Sequence, residues 1–404
     1  MSNQKRITID KLIVLLCVLP TITFGLAIIQ RDSTLSNDFI RKFFRLFNYL
    51  CMGGFLTLII IKRKIFKESI LLAIIPIVYW SICFFHAYIR PPINFLITVM
   101  IILFLLTDKN NKCSIYKVYY KFIVIMAIAG IIIYVSYYFK LPFPYDKVQY
   151  YVLGDNASYF NYKIGYLYVS NVTGVARLCG LFNEPGYFGT IIGFCLCLEQ
   201  LNFKKKENII LLVAGCFTLS LAFFLIIIIY ITVYSTQNPF RLLCLILLGC
   251  ICFLVLQNIE VNNETINTIL TRFRINENGR LAGDNRSTPF LDREIKKMFT
   301  DRGYQLLFGY GTGYSSTLVR SGLSYKKYLL HYGVVGLSFI YGIPFLTACH
   351  LSKKNLPNLL FIMCFFVSLY QRPDLYMLNY FVILFGGIEY LNSKFDTKKQ
   401  ITQK

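Results

Sequence analysis

The stretch Arg177-Leu-Cys-Gly-Leu-Phe-Asn-Glu-Pro-Gly-Tyr-Phe-Gly189 carries one cation and one anion into an apolar run, Tyr187 to Leu201, that reads as a membrane span. Proline suits the first helical turn, where its missing N–H costs nothing, so Pro185 opens a helix and Glu184 stands at the positive end of its dipole. Two readings are open at this point. In one, Arg177 and Glu184 belong to a site at a membrane surface, with glycines allowing close approach. In the other, Glu184 caps the helix and Arg177 touches lipid phosphate.

The chain of 404 residues is 56% hydrophobic with a mean hydropathy of +0.56, too apolar for a soluble domain. Several runs reach the roughly 20 residues that cross a hydrocarbon core of about 30 Å. The fold class expected is therefore an all-α polytopic membrane protein, residues 1–404 forming one integral membrane domain. Most of the thirteen Cys, among them Cys17, Cys195, Cys197, Cys244, Cys250 and Cys252, lie inside apolar runs without a paired C-x-x-C motif. With three His (His86, His331, His350), they point to neither disulfide framework nor zinc site. The net charge of +22 would suggest nucleic acid in a soluble chain, but a membrane protein meets anionic lipid.

From the N-terminal Lys5, Arg6 and Lys11, spans are expected near 12–30 (a retained anchor rather than a cleaved signal), 46–61, 69–88, 93–107 and up to Phe139. A first large external loop, 140–185, is rich in Tyr. The apolar stretch Ile209 to Tyr234 is either one strongly tilted helix of about 39 Å or two short helices broken at Thr218-Leu-Ser220. Charge favours two. A span at 242–257, a second large external loop at 258–325, and spans at 326–347, 357–370 and 376–391 then give about twelve transmembrane helices, with both termini cytoplasmic.

This topology sorts the basic residues by type. Of 26 Lys and 16 Arg, 18 Lys fall on the cytoplasmic side but only Arg6, Arg63 and Arg241 do, leaving 13 Arg external. Lysine is a hydrated point charge, whereas the arginine fork suits bidentate phosphate or carboxylate. An external face stocked with Arg suggests a phosphate-bearing ligand; Arg packing in an ordered loop is the alternative.

The second loop carries Arg272-Phe-Arg274, Gly279-Arg-Leu-Ala-Gly-Asp-Asn-Arg286 and Leu291-Asp-Arg-Glu-Ile-Lys-Lys-Met-Phe299. Phe290, Leu291, Ile295, Met298 and Phe299 fall at helical spacing, so a short amphipathic helix on the membrane surface is expected over 288–300. Leu307-Phe-Gly-Tyr-Gly-Thr-Gly-Tyr314 reads either as a backbone cradle for phosphate or as a tight turn; it lacks the Walker Lys-Ser/Thr.

Together these features resemble the O-antigen polymerase (Wzy-type) family, related to O-antigen ligases and SEDS proteins. The resemblance rests on Arg177-x-x-Gly180-x-Phe182-x-Glu184-Pro185, Thr218-Leu-Ser220, Gly309-Tyr-Gly-Thr-Gly313 and Tyr328-Leu-x-x-Tyr332-Gly-Val-Val-Gly-Leu337, in that order over roughly 120–390. Ligases of the superfamily usually carry a His about eleven residues before the Gly-x-x-Gly, where Gly322 stands here, which favours polymerase over ligase.

The resemblance implies a GT-C-like O-antigen ligase/polymerase fold in the bacterial inner membrane, with two large periplasmic loops. It implies glycosyl transfer of the growing lipopolysaccharide chain from undecaprenyl pyrophosphate onto a new lipid-linked repeat unit. Preorganised cations must then meet the charge developing on pyrophosphate, and an acceptor hydroxyl must be oriented or deprotonated. Arg177, Arg280 and Arg286 are the first candidates for pyrophosphate, with Arg372 next; Gly309, Gly311 and Tyr314 are candidate binding residues. Glu184 is the candidate for acceptor activation, or it orients Arg177 through a salt bridge. Asp284, Asp292, Asp374 and His331 form a second tier, His331 reading more readily as packed. The Tyr145 to Tyr168 stretch either stacks sugars or forms an interfacial belt. No cofactor and no metal are expected. The implied partners are the undecaprenyl-pyrophosphate-linked oligosaccharide, membrane lipids and a chain-length regulator, with no nucleic acid. The rival readings are an O-antigen ligase and a lipid-linked oligosaccharide flippase.

Overall fold

A computed structural model describes residues 3–25, 38–62, 67–86, 92–152, 155–171, 174–235, 239–259, 288–301, 303–311, 325–353 and 355–402, with isolated positions at 267, 270–271, 274–275 and 314. Five helices come first: α1 (Asn3–Gly25), α2 (Asp38–Lys62), α3 (Lys67–His86), α4 (Pro92–Leu106) and α5 (Lys109–Tyr138). Four strands follow, β1 (Asp146–Val152), β2 (Asp155–Asn161), β3 (Tyr166–Ser170) and β4 (Ala176–Gly180). Then come α6 (Pro185–Leu198), α7 (Lys206–Phe217), α8 (Leu221–Ser235), α9 (Pro239–Asn258), α10 (Pro289–Asp301), α11 (Tyr304–Phe308) and α12 (Tyr325–Leu337). α12 passes through a π-helical turn, Ser338–Gly342, into α13 (Ile343–Leu351), and α14 (Leu356–Ser368) follows. α15 (Leu378–Phe381) passes through a second π-helical turn, Val382–Gly386, into α16 (Gly387–Thr402).

Among the described residues, three segments are long and apolar enough to cross a membrane: Lys42–Lys62, Lys109–Tyr138 and Tyr325–Leu351. Shorter apolar helices include Ser69–Cys83, Phe95–Leu106, Pro185–Leu198, Leu221–Tyr234 and Leu356–Ser368. This make-up is compatible with a helical membrane protein.

The body has two polar ends. At the lysine end, Lys62 bridges Asp10 (2.6 Å) and Asp108 (2.5 Å), tying α1 and α2 to the start of α5. There too Lys205 and Lys394 meet Glu199, and Lys353 meets Asp396. At the opposite, arginine end lie the sheet, Arg177, Glu184 and Arg372.

The stretch 209–234 is two helices, reversed at Thr218–Ser220. Gly189 of α6 lies against Thr218 and Ser220, and Gly193 lies against Ile226, so α8 runs parallel to α6 while α7 runs back. Leu219 at the reversal has φ +48°, a left-handed conformation that costs a non-glycine residue roughly 1–2 kcal/mol. At 14, 12 and 15 residues, α6, α7 and α8 are each only about 18–22 Å long, against about 45 Å for the 30 residues of α5.

The all-α expectation needs correction at residues 140–185. The Tyr-rich loop is a four-stranded antiparallel sheet in sequential order, with Val148 opposite Tyr159, Tyr159 opposite Tyr168, and Tyr168 opposite Arg177. Aromatic and β-branched residues favour a pleated, half-buried surface, and here both faces are occupied. Leu167, Val169 and Ala176 pack on Ile133 of α5, while Val148, Tyr159, Tyr166 and Cys179 cluster separately. Tyr159, Tyr162 and Tyr166 are thus buried packing residues rather than sugar platforms; Tyr145 stays half exposed.

The amphipathic helix expected over 288–300 is α10. Its Leu291, Ile295 and Met298 face Leu329 and Leu330 of α12, leaving Phe290 and Phe299 on the exposed side.

Candidate functional site

Two turns of chain converge at the arginine end, and small residues let them do so. Glu184 is the N-cap of α6 by backbone conformation, yet its side chain makes no capping bond. Its carboxylate accepts a 2.8 Å hydrogen bond from Arg372 Nη1 in the Gln371–Asp374 turn between α14 and α15. The capping alternative is thereby replaced by an ion pair, and the expected partner Arg177 by Arg372. The Arg372 side chain is largely covered, 13% exposed, whereas that of Glu184 is 42% exposed, so the carboxylate is the more open member of the pair. Burial alone would lower the Arg372 pKa; the charge and hydrogen bond of Glu184 outweigh this and hold the guanidinium above its ordinary value. It also lies 5.7 Å over the Tyr187 ring.

Gly186 explains the close approach: a Cβ there would stand 2.5 Å from Arg372 Nη2. Gly189 does the same for the α7–α8 reversal, where a Cβ would meet Thr218 Oγ1 at 2.6 Å. Arg177 extends from β4 to that reversal, donating from Nε to the Thr218 carbonyl (3.0 Å) and from Nη2 to the Leu219 carbonyl (3.1 Å). Its guanidinium lies 5.8 Å from the Tyr168 ring. Arg177 thus caps the end of α7 and secures the strained Leu219, a role additional to the pyrophosphate contact expected of it. The chain of contact runs from Arg177 through Thr218–Ser220 and Gly186 to Glu184 and Arg372.

Leu178, next to Arg177, packs on Gly130, eight residues or about 12 Å before the end of α5.

Other expected residues have structural partners. Asp374 accepts from the Tyr328 hydroxyl at 2.5 Å, and the Tyr341 hydroxyl donates to the Pro373 carbonyl at 2.6 Å, so both tyrosines hold the turn that carries Arg372. Asp292 pairs with Lys326, joining α10 to α12. Tyr314 donates to Glu294 at 2.5 Å, a bond that pushes its pKa up to about 12.

Over its described residues 307–311, the glycine-rich run is a tight turn whose N–H groups are used within the fold. The N–H of Gly309 donates to Gln305, that of Tyr310 to Leu330 (2.7 Å), and that of Gly311 to His331 (3.0 Å). Gly309 (φ +75°) and Gly333 (φ +66°) cross backbone to backbone, with no room for a Cβ on either. His331 is buried, and its Nε2 has no hydrogen-bond partner among the described residues. Arg280, Asp284 and Arg286 lie outside the described residues.

Reading the sequence overlooked Tyr187 and Asn379. Asn379 Nδ2 donates to the Tyr187 hydroxyl at 2.5 Å, fixing the ring under Arg372. The available signal was that Gln371-Arg-Pro-Asp374 interrupts two apolar runs at the same end as Glu184.

Comparison with protein-family models, curated proteins and solved structures returned no match.

Proposed function

We propose that the chain is a polysaccharide polymerase of the O-antigen type, crossing a bacterial inner membrane about twelve times with its arginine end at the periplasmic face. It transfers the growing chain from undecaprenyl pyrophosphate onto a newly delivered lipid-linked repeat unit. In the transfer, the acceptor hydroxyl oxygen bonds to the anomeric carbon of the growing chain as the bond from that carbon to the pyrophosphate oxygen breaks. The hydroxyl proton passes to Glu184. Cleavage of the sugar–pyrophosphate bond drives the reaction, so no ATP is needed.

The observation that carries this reading is the half-exposed Glu184 carboxylate paired with a covered Arg372 at the start of α6. An arginine bound to a carboxylate makes it a weaker base. When charge develops on pyrophosphate, Arg372 gains a second anionic acceptor, its hold on Glu184 loosens, and the carboxylate becomes more basic as the hydroxyl proton must leave.

The test is the lipopolysaccharide of a deletion strain. Polymerase loss leaves molecules bearing a single repeat unit. Molecules bearing none would indicate a ligase or a flippase and overturn the proposal.

A further inference from the structure

We infer that a second binding site lies at the lysine end and holds the phosphate headgroup of an anionic phospholipid. This inference does not depend on the proposed transferase activity. A cavity of about 520 Å³ there is lined by Lys117, Tyr120 and Lys121 of α5, by Glu199, Lys205 and Glu207, and by Tyr390. Glu199, with a side chain only 2% exposed, is already saturated: Oε2 accepts from Lys205 (2.6 Å) and Lys394 (3.1 Å), and Oε1 accepts from the Tyr390 hydroxyl. It therefore does not compete for the cations across the cavity, and the other carboxylate of the lining, the exposed Glu207, stands against three lysines, Lys117, Lys121 and Lys205.

Lys117 and Lys121 are exposed, and among the described residues neither has a carboxylate partner. Lys117 Nζ lies 5.7 Å from the centre of the Tyr390 ring, and Lys394 Nζ lies 4.1 Å from the same ring. Two cations one helical turn apart over an aromatic floor suit a phosphate diester.

The rest of α5 distinguishes a lipid from free phosphate. Lys117, Lys121, Ile125, Ile128 and Ile132 are spaced by three or four residues, which places them on one helix face, and the three isoleucines are exposed. The stripe passes from cationic to aliphatic from the lysine end inward. That is the polarity of an amphiphile lying along the helix, and a free anion would use only its first turn.

Native mass spectrometry of the full-length protein in detergent tests the site. The probes are dioleoyl phosphatidylglycerol, dioleoyl phosphatidylcholine and inorganic phosphate. Retention of phosphatidylglycerol over phosphatidylcholine is expected, weakened roughly fivefold for each lysine removed in Lys117→Ala and Lys121→Ala. Lys297→Ala, at the other end, should leave retention unchanged. Equal retention of the two lipids by the unaltered protein overturns the inference without recourse to any variant. Displacement of phosphatidylglycerol by millimolar phosphate assigns the site to a free anion and overturns it as well. Unchanged retention in the lysine variants places the lipid elsewhere.

Discussion

Glu184 and Arg372 are 188 positions apart in sequence and 2.8 Å apart in space, joined where the first turn of α6 meets the turn between α14 and α15. The pair binds two distant parts of the chain, and its carboxylate is the more exposed member. A carboxylate held for proton transfer should tolerate loss of charge far less well than loss of bulk. Glu184→Gln is expected to lower chain extension by roughly 10²–10³-fold. Gel ladders of polymer from membranes containing equal amounts of protein would check it, and normal ladder lengths would exclude Glu184 from the chemistry.

Arg177 grips the carbonyls of Thr218 and Leu219, so its replacement should damage the α7–α8 reversal as well as activity. Arg177→Ala should remove roughly 3–6 kcal/mol of stability, since each of its two hydrogen bonds from a charged donor is worth about 1.5–3 kcal/mol. Thermal melting in detergent should fall by several degrees and chain extension should cease, with Arg177→Lys restoring little of either. A melting temperature equal to that of the unaltered protein would show the two carbonyl bonds to be dispensable.

Three glycines should respond differently to an added methyl group. At Gly186 the obstacle is the end of a flexible side chain, Arg372, which can swing aside. Gly186→Ala should therefore keep most of the stability but lose most of the activity. At Gly309 the obstacle is the His331 backbone and φ is +75°, so Gly309→Ala should cost several kcal/mol and deplete protein from the membrane. Gly53, with nothing within 4 Å of its Cβ position, should accept alanine silently. Immunoblots and ladders of the three variants separate these outcomes.

If arginine guanidinium groups meet the pyrophosphate charge, chelation should leave the reaction untouched. Chain extension in isolated membranes is expected to be equal with and without millimolar EDTA. A loss of more than about tenfold, restored by magnesium, would assign the charge neutralisation to a metal instead.

The helices were legible because an apolar run of a dozen or more residues between polar breaks has few alternatives. Even the break at Thr218-Leu-Ser220 showed, as a 26-residue run too long for one upright span. The sheet was less visible: Tyr150, Tyr159, Tyr166 and Tyr168 read equally as an interfacial belt, and strand pairing supplies the difference. Glu184 and Arg372 each stood out as polar groups beside apolar runs. Their pairing did not, because a contact across 188 residues depends on how α6 and α14 pack. The run around Gly309 left two readings open for a related reason. Glycines that admit a phosphate and glycines that admit another backbone leave the same mark in sequence, and here the other backbone runs through Gly333.

The shortness of α7 also bears on how the protein is made. A helix of about 18 Å lacks the apolar length to hold a place in a bilayer alone. As the ribosome releases it, α7 has both α5 and α6 to lean on: Tyr134 of α5 stacks on Phe217, and the Tyr120 hydroxyl donates to Asn208. The reversal at Leu219 and its clasp by Arg177, already synthesised, then set α8 alongside α6, so that the length α7 lacks is made up by the helices it packs against.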